Sequence, residues 1–175
     1  MARLNPQVSV KDHQTGKSNA TVTLVEYGDY QCSYCGHAYP LVKRLLKENG
    51  NVLQFVFRNF PLQDIHPMAM SAACAAEAAA LQEKFWEMHD LIFEHQQELS
   101  NDLLLKLAVQ LKLDEKKFAK DWQSETTFSR VESDFETGVR SGVNGTPTFF
   151  VNGSRFNAYD ETYNSLLMAI SIPAL

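Results

Sequence analysis

Two cysteines, Cys32 and Cys35, stand three positions apart where a predicted strand and a short loop lead into a predicted helix. Residues i and i+3 lie on one helix face, so a modest adjustment brings the two sulfur atoms close enough to form a disulfide. At the first turn of a helix, free N–H groups and the positive end of the helix dipole favour thiolate over thiol. We therefore expect Cys32 to be an exposed nucleophile and Cys35 to be the resolving thiol.

Structural zinc sites also use this cysteine spacing, but they need four ligands. Besides the pair, the sequence contains only Cys74 and five scattered histidines, none of which forms a second close pair with a cysteine. His37 follows Cys35 too closely to join the same tetrahedron comfortably. Redox chemistry is therefore preferred over a metal site or an inert pair, and neither a cofactor nor a metal is predicted. Cys74, flanked by alanines, is interpreted as a small buried apolar residue.

The composition limits the possible partners. The chain has 175 residues and a formal net charge of −5, and its lysines and arginines are scattered, which argues against a nucleic-acid partner. The amino-terminal residues contain no apolar signal-peptide core, and no stretch reaches membrane-spanning length. As written, the sequence predicts a cytoplasmic protein without a membrane span. If a leader peptide has been removed, the expectation becomes a periplasmic or exported protein.

The apolar periodicity divides the chain into three parts. Residues 1–64 contain a strand over 22–27, a helix from the cysteines to about 48 and a strand over 52–58, which is the pattern of a parallel βαβ unit. Residues 65–141 show helical periodicity throughout and predict an all-helical insertion. Residues 142–175 return to strand periodicity and predict a β-hairpin with a type I′ turn at Asn152-Gly153, then a closing helix. The predicted fold class is α/β.

Three local expectations follow from the same patterns. Residues 1–20 are polar and rich in turn residues, so we expect an arm laid over the first strand. The last helix of the insertion should turn one apolar stripe toward the core, formed by Phe128, Val131, Phe135 and Val139. Asp160 should cap the closing helix.

Three segments together resemble the DsbA-like branch of the thioredoxin superfamily: residues 26–35 around the cysteines, 84–90 in the helical part, and 145–153 at the start of the hairpin. The resemblance covers residues from about 20 to 170 and implies a thioredoxin-like fold with a helical insertion. It also implies a cis Pro147 that faces the dithiol, and a Thr146 that presents its backbone to a bound substrate chain. From the sequence alone Pro147 merely begins a strand, so an ordinary edge-strand turn is the alternative.

Glu26 places an acid on the apolar face of the first strand, on the same side as Val22 and Leu24. It precedes Cys32 by six residues, as does the acid that similar proteins place beneath their active site. A partly buried carboxylate has a raised pKa and could take the proton from Cys35 during exchange. The alternative is an exposed residue of an edge strand.

Ser33 and Tyr34 form the dipeptide between the two cysteines. In the family that the chain resembles, this dipeptide tunes the redox potential. Strongly oxidising members often have Pro-His there, and this chain departs from that pattern. An imidazole next to Cys32 would stabilise its thiolate, whereas the Tyr34 phenol can only donate a hydrogen bond. Tyr34, Thr146 and Pro147 are the predicted substrate-binding residues.

These features predict a thiol–disulfide oxidoreductase that acts on protein substrates as an oxidase, reductase or isomerase, with Cys32, Cys35 and Glu26 as catalytic residues. The expected partners are protein or peptide thiols and disulfides, together with glutathione or a protein that recycles the dithiol. One alternative is a glutathione-linked transferase or isomerase of similar fold, whose members usually lack the second cysteine. The other is a chaperone-like module that binds peptides beside Pro147.

Overall fold

The computed structural model describes residues 2–171, which contain a five-stranded sheet in the order β1-β3-β2-β4-β5. The two central strands, β2 and β3, are parallel, and every other neighbouring pair in this sheet is antiparallel. This confirms the predicted thioredoxin-like α/β fold. The strands are β1 (His13–Gly16), β2 (Val22–Gly28), β3 (Leu53–Asn59), β4 (Thr148–Val151) and β5 (Ser154–Phe156).

The centre of the molecule is the βαβ unit formed by β2, helix α1 (Ser33–Asn49) and β3. Both strands are buried on both faces, which explains their nearly continuous apolar sequence. Successive side chains of β2 enter separate apolar clusters: Leu24 packs in the larger cluster and Val25 in the smaller one. Glu26, two residues after Leu24, therefore points to the same side of the sheet as the larger cluster.

Between β3 and β4 the described chain is helical, as the sequence predicts. Side chains of Ser100, Asp114 and Ser124 each accept a hydrogen bond from a backbone N–H in the first turn of the helix that follows. Within residues 2–171 no helix is both long and apolar enough to cross a membrane. The helices are α2 (Ala69–Ala80), α3 (Phe85–Glu94), a 3-10 turn (Gln96–Glu98), α4 (Asn101–Gln110), α5 (Glu115–Trp122) and α6 (Glu125–Arg140).

The carboxyl-terminal part consists of the β4–β5 hairpin and helix α7 (Tyr163–Ser171). Asn152 and Gly153 both have positive φ, 48° and 79°, which confirms the predicted type I′ turn. The division into residues 1–64, 65–141 and 142–175 remains an interpretation, and residues 1 and 172–175 of it lie outside the described residues.

The predicted arm is different in the structure. Residues 13–16 do not lie over the first strand but form β1, which pairs antiparallel with β3 at the edge of the sheet. Without β1, the outer backbone groups of β3 would have no partner, so an added edge strand satisfies them.

The predicted stripe on α6 is wrong for two of its four members. Phe128 and Val139 are 37% and 56% exposed. The inner face instead combines Val131 with polar and small residues, because the polar ones find buried partners and glycine permits close packing. Asp134 accepts from the backbone N–H of Asn59 at 3.1 Å, and a Cβ at Gly138 would overlap the ring of Phe60.

The predicted cap of α7 is also wrong. The Thr162 hydroxyl, not Asp160, accepts the hydrogen bond from the first turn, from Ser165 N at 3.2 Å. Asp160 instead positions Thr162, because its Oδ1 accepts hydrogen bonds from the backbone N–H of Thr162 at 3.1 Å and from the Thr162 hydroxyl at 2.6 Å. Both residues therefore shape the start of the helix.

Candidate active site

The dithiol lies at the start of α1, with Cys32 as the N-cap residue and Cys35 in the first turn. Both thiols are free. Cys32 is 4% exposed and Cys35 is fully buried. Cys32 is therefore less exposed than expected. The Cys32 Sγ lies 3.4 Å from the carbonyl oxygen of Thr146, which covers part of the sulfur. Cys32 is still the more accessible of the two residues.

The two thiols differ sharply in acidity. Hydrogen bonding from the Cys35 side chain lowers the pKa of Cys32 to about 5, helped by hydrogen bonds from the backbone of Cys35 and Tyr34, and this outweighs the opposing effect of burial. Burial raises the pKa of Cys35 well above its ordinary value, and the hydrogen bond with Cys32 and the charge of Glu26 raise it further. Near neutral pH, Cys32 is therefore a thiolate and Cys35 keeps its proton.

Glu26 lies on β2 opposite Phe57 of β3 and Phe149 of β4. It is 3% exposed, so the alternative of an exposed edge residue is wrong. Burial raises the pKa of Glu26 to about 8, and negative charge on Cys32 contributes in the same direction. Because the charge of Glu26 is one of the causes that raise the pKa of Cys35, a proton on Glu26 favours ionisation of Cys35. This carboxyl can therefore hold or release a proton close to the buried sulfur.

Thr146 and Pro147 lie immediately before β4, and the peptide bond between them is cis, as the resemblance implies. Both residues are partly exposed beside the dithiol. The Thr146 carbonyl faces the Cys32 sulfur, and within residues 2–171 its buried Oγ1 has no hydrogen-bond partner. The structure thus places a backbone carbonyl and a free hydroxyl next to the accessible thiol.

Three other residues singled out by the sequence lie farther from the exchange itself. Tyr34 is 56% exposed on the first turn of α1, so its ring is available to a molecule that approaches Cys32. His37 is exposed, and its Nε2 lies 3.0 Å from the carbonyl oxygen of Glu161. Cys74 is buried in α2, as expected, and burial raises the pKa of its thiol to about 11.

Gln96, in the 3-10 turn after α3, is a residue that the sequence analysis missed. Its Nε2 donates to the carbonyl oxygens of Tyr30 and Cys32, each at 2.8 Å. The side chain fits there because Gly36 has no side chain: a Cβ at that position would overlap Gln96 Oε1. The helical insertion therefore holds the backbone of the dithiol loop directly. No periodicity or motif around Gln96 marks this role in the sequence.

Asp29 fixes the other side of the same loop. Its buried carboxylate accepts from the backbone N–H groups of Gln31 at 2.8 Å and Leu62 at 2.9 Å, and lies 2.7 Å from His66 Nδ1. The Asp29 backbone N–H in turn donates to the Cys35 sulfur at 3.4 Å. The sequence places Asp29 inside the resembling motif but gives no sign that it ties the dithiol loop to the segment around Leu62.

The side chains around the dithiol are suited to thiol chemistry. Within residues 2–171 no group of three or more histidine, cysteine, aspartate or glutamate side chains is arranged to hold an ion. The site combines an acidic thiol beside the Thr146 carbonyl, a buried second thiol, and a carboxyl with a raised pKa.

The fold and this dithiol at a helix N-terminus define a thioredoxin-fold protein. A family model described as Thioredoxin matches residues 8–171, and the chain belongs to that family. Among solved structures, BdbD from Bacillus subtilis is similar with a TM-score of 0.81 and 26% sequence identity, and the match covers 98% of this chain and 97% of the BdbD chain. A thioredoxin-like oxidoreductase from Silicibacter pomeroyi has a TM-score of 0.79 at 24% identity, covering 93% and 92%. The structural neighbours are thus DsbA-like oxidoreductases.

The curated relatives have a different kind of name. A protein named Na(+)/H(+) antiporter NhaA 3 from Salinispora tropica is 48% identical over 145 residues, which is 83% of this chain and 22% of that protein. One from Herminiimonas arsenicoxydans, named Na(+)/H(+) antiporter NhaA, is 41% identical over 169 residues and matches 27% of its length. The chain spans about a quarter of the length of the curated relatives it matches.

Proposed function

We propose that the protein is a thiol–disulfide oxidoreductase that exchanges disulfides with protein or peptide substrates. The observation that carries this proposal is the opposite acidity of the two thiols: the pKa of Cys32 is about 5, while that of the buried Cys35 is raised above its ordinary value. A nucleophilic first thiol and a protonated second thiol are what stepwise exchange requires.

In the reductive direction, the Cys32 thiolate attacks a substrate disulfide. A sulfur–sulfur bond forms to Cys32, the substrate disulfide breaks, and one substrate sulfur leaves as a thiolate. Because Cys32 is now uncharged, one cause of the raised pKa of Glu26 is removed, and the ionised carboxyl becomes easier to form.

Glu26 then accepts the Cys35 proton, and the Cys35 thiolate attacks Cys32 Sγ. The dithiol becomes a disulfide and the second substrate thiolate leaves, so the protein loses the two electrons that the substrate gains. Oxidation of a substrate dithiol is the same sequence reversed.

Substrate binding is assigned to the surface beside Cys32. The Thr146 carbonyl offers a hydrogen bond to an extended chain, Pro147 lies at the end of the strand beside which that chain would run, and the exposed Tyr34 ring adds apolar contact. Specificity for proteins over small thiols rests on this surface. Glutathione or another dithiol protein would reset the pair after each cycle.

The test is turnover of insulin disulfides with glutathione or dithiothreitol as the reductant, and oxidation of a reduced unfolded protein. We expect activity in the wild type and its loss in Cys32→Ser, because a serine hydroxyl provides no comparable nucleophile at this position. Cys74→Ser is the matched control and should remain active. Activity that survives in Cys32→Ser would refute the dithiol mechanism. Suppression of aggregation without any turnover would favour the chaperone-like alternative. Transfer of glutathione to a small electrophile would favour the transferase alternative.

A second proposal concerns where the dithiol works. The likeness to part of proteins named Na(+)/H(+) antiporters, at 48% identity, supports a role in which the dithiol exchanges disulfides with a membrane transporter. A Cys35→Ala variant retains mixed disulfides, because it lacks the resolving thiol. We expect a sodium/proton antiporter among the proteins trapped on Cys32 in cells. Recovery of other trapped proteins without an antiporter would contradict this proposal.

A further inference from the structure

A cavity of about 370 Å³ opens behind the dithiol, between α1, α3 and the β1–β3 side of the sheet. We name it the Glu26 cavity because Glu26 lines it. The burial of the lining residues shows which of them lie deep in the cavity and which lie at its opening. Glu26 and His89 are 3% and 4% exposed and form its inner end, whereas the exposed Lys43 and Lys47 form its mouth. A volume of this size is within the range of small-molecule sites.

Its walls are aromatic and fixed. The rings of Tyr39 and Phe93 stack with centroids 5.3 Å apart, and the Tyr39 hydroxyl donates to Glu94 at 3.1 Å. The rings of Phe55 and Trp86 lie 5.9 Å apart, and Trp86 Nε1 donates to the Gln14 carbonyl oxygen at 3.1 Å. Walls of this kind favour a flat, apolar ring.

The inner end contains a buried carboxyl that lines the cavity, that of Glu26. Burial and the charge on Cys32 raise the pKa of Glu26 to about 8. At pH 7 in the reduced protein this carboxyl therefore carries a proton that it can donate. Burial lowers the pKa of His89 to about 3, so the imidazole beside it is neutral. An acceptor atom on a ligand would satisfy Glu26.

The mouth contains a cation without an ion-pair partner. Lys43 Nζ lies 2.6 Å from Asp90 Oδ2, so these two charges compensate each other. Lys47, also at the mouth, makes no ion pair within the described residues. An anionic group on a ligand would therefore have Lys47 as its partner.

We propose that the Glu26 cavity binds a small aromatic monocarboxylate. The ring packs against the aromatic side chains of the lining, the carboxylate meets Lys47 at the mouth, and an acceptor on the far side of the ring receives the Glu26 proton in a hydrogen bond. The occupant would contact the carboxyl that serves the resolving thiol, without touching either sulfur. Binding is separate from the proposed exchange reaction and can be measured without turnover.

The probe is phloretate, a phenol with a propanoate chain, titrated by calorimetry into the full chain at pH 7. We expect one site with a dissociation constant below about 1 mM. Phloretamide, which is uncharged, and the Lys47→Gln variant should each weaken binding by about two- to fivefold, the scale of one exposed ion pair. Lys106→Gln removes an exposed lysine of α4 as the matched control and should bind as the wild type does.

Leu46→Trp, which adds bulk to the cavity lining, should abolish binding while the circular dichroism spectrum stays unchanged. The phloretamide and Lys47→Gln comparisons keep the proposal testable if that variant fails to fold. Absence of binding to the wild type, equal binding of phloretate and phloretamide, or unchanged binding by a folded Leu46→Trp protein would each overturn the proposal. Because no disulfide exchange is measured, these results are independent of the proposed activity.

Discussion

The side-chain amide of Gln96 donates to the carbonyl oxygen of Cys32 at 2.8 Å, so a residue of the helical insertion holds the residue that starts α1. The same nitrogen holds Tyr30 O at 2.8 Å. The helical insertion therefore restricts the backbone conformation of the loop that contains the reactive Cys32.

Gln96→Ala should loosen this loop and weaken the helix-terminal hydrogen bonds that stabilise the thiolate. We expect the pKa of Cys32 to rise by about one unit, equivalent to about 1.4 kcal/mol, which is the usual size of a net hydrogen-bond effect. The measurement is the pH dependence of alkylation of the reduced protein. Gln97→Ala, on the exposed neighbour, is the control. Equal profiles for the two variants would remove Gln96 from its positioning role.

Glu26→Gln tests the buried carboxyl through stability. The folded pKa of about 8 exceeds the ordinary value of 4.5, so the folded state binds a proton that the unfolded state releases between these pH values. The free energy of unfolding attributable to Glu26 therefore falls as pH rises from about 4.5 to about 8. At pH 7 the variant should be more stable by up to about 3 kcal/mol.

The check is urea unfolding of reduced wild type and Glu26→Gln at pH 5 and pH 8. Cys32 contributes with the opposite sign, because its folded pKa is lowered, but it is present in both proteins and largely cancels in the difference. A difference in stability that is the same at both pH values would show that Glu26 is ionised in the folded protein. The variant should also exchange disulfides more slowly, since Cys35 loses its proton acceptor.

The sequence predicts this architecture well where the pattern is set by local chemistry. The parallel pair of strands and the Asn152-Gly153 turn both follow from patterns within short stretches of the chain. The acid on the apolar side of β2 is visible for the same reason, because alternation along a strand fixes its face.

What the sequence does not predict depends on contacts between distant residues. Gln96 reaches a loop 64 residues away through space left by Gly36, and no local pattern records such a fit. The predicted apolar stripe on α6 is wrong because polar residues such as Asp134 form hydrogen bonds with the sheet. Which residues of α6 are buried therefore depends on their hydrogen-bond partners as well as on their hydrophobicity. The partial covering of Cys32 by Thr146 likewise joins segments 114 residues apart.

Cys74 should take no part in exchange. It is 6% exposed, and its thiol, with a pKa of about 11, is protonated near neutral pH. Cys74→Ala should keep turnover within about twofold of the wild type, and the cost of the lost sulfur should appear only in stability. Peptide mapping of the oxidised protein provides the check, and a disulfide from Cys74 to Cys32 or Cys35 would contradict this assignment.

The redox potential should lie between those of thioredoxin and DsbA, roughly −250 to −150 mV, since a Cys32 pKa of about 5 falls between the pKa values of their reactive thiols, about 7 and about 3.5. Tyr34→His should make the potential more oxidising by about 30 mV, because a cationic imidazole stabilises the thiolate of the reduced form. Equilibration with glutathione buffers measures both, with Tyr34→Phe as the control. Identical potentials for the two variants would exclude Tyr34 as a tuning position.

The measurement that tests the central claim most directly is the rate of iodoacetamide alkylation at each cysteine of the reduced protein, followed by mass spectrometry across a pH series. We predict modification of Cys32 first, with a midpoint near pH 5, while Cys35 and Cys74 remain unmodified at neutral pH. Faster modification of Cys35, or a Cys32 midpoint near the ordinary thiol pKa of 9.0, would contradict the assignment of Cys32 as the attacking thiolate.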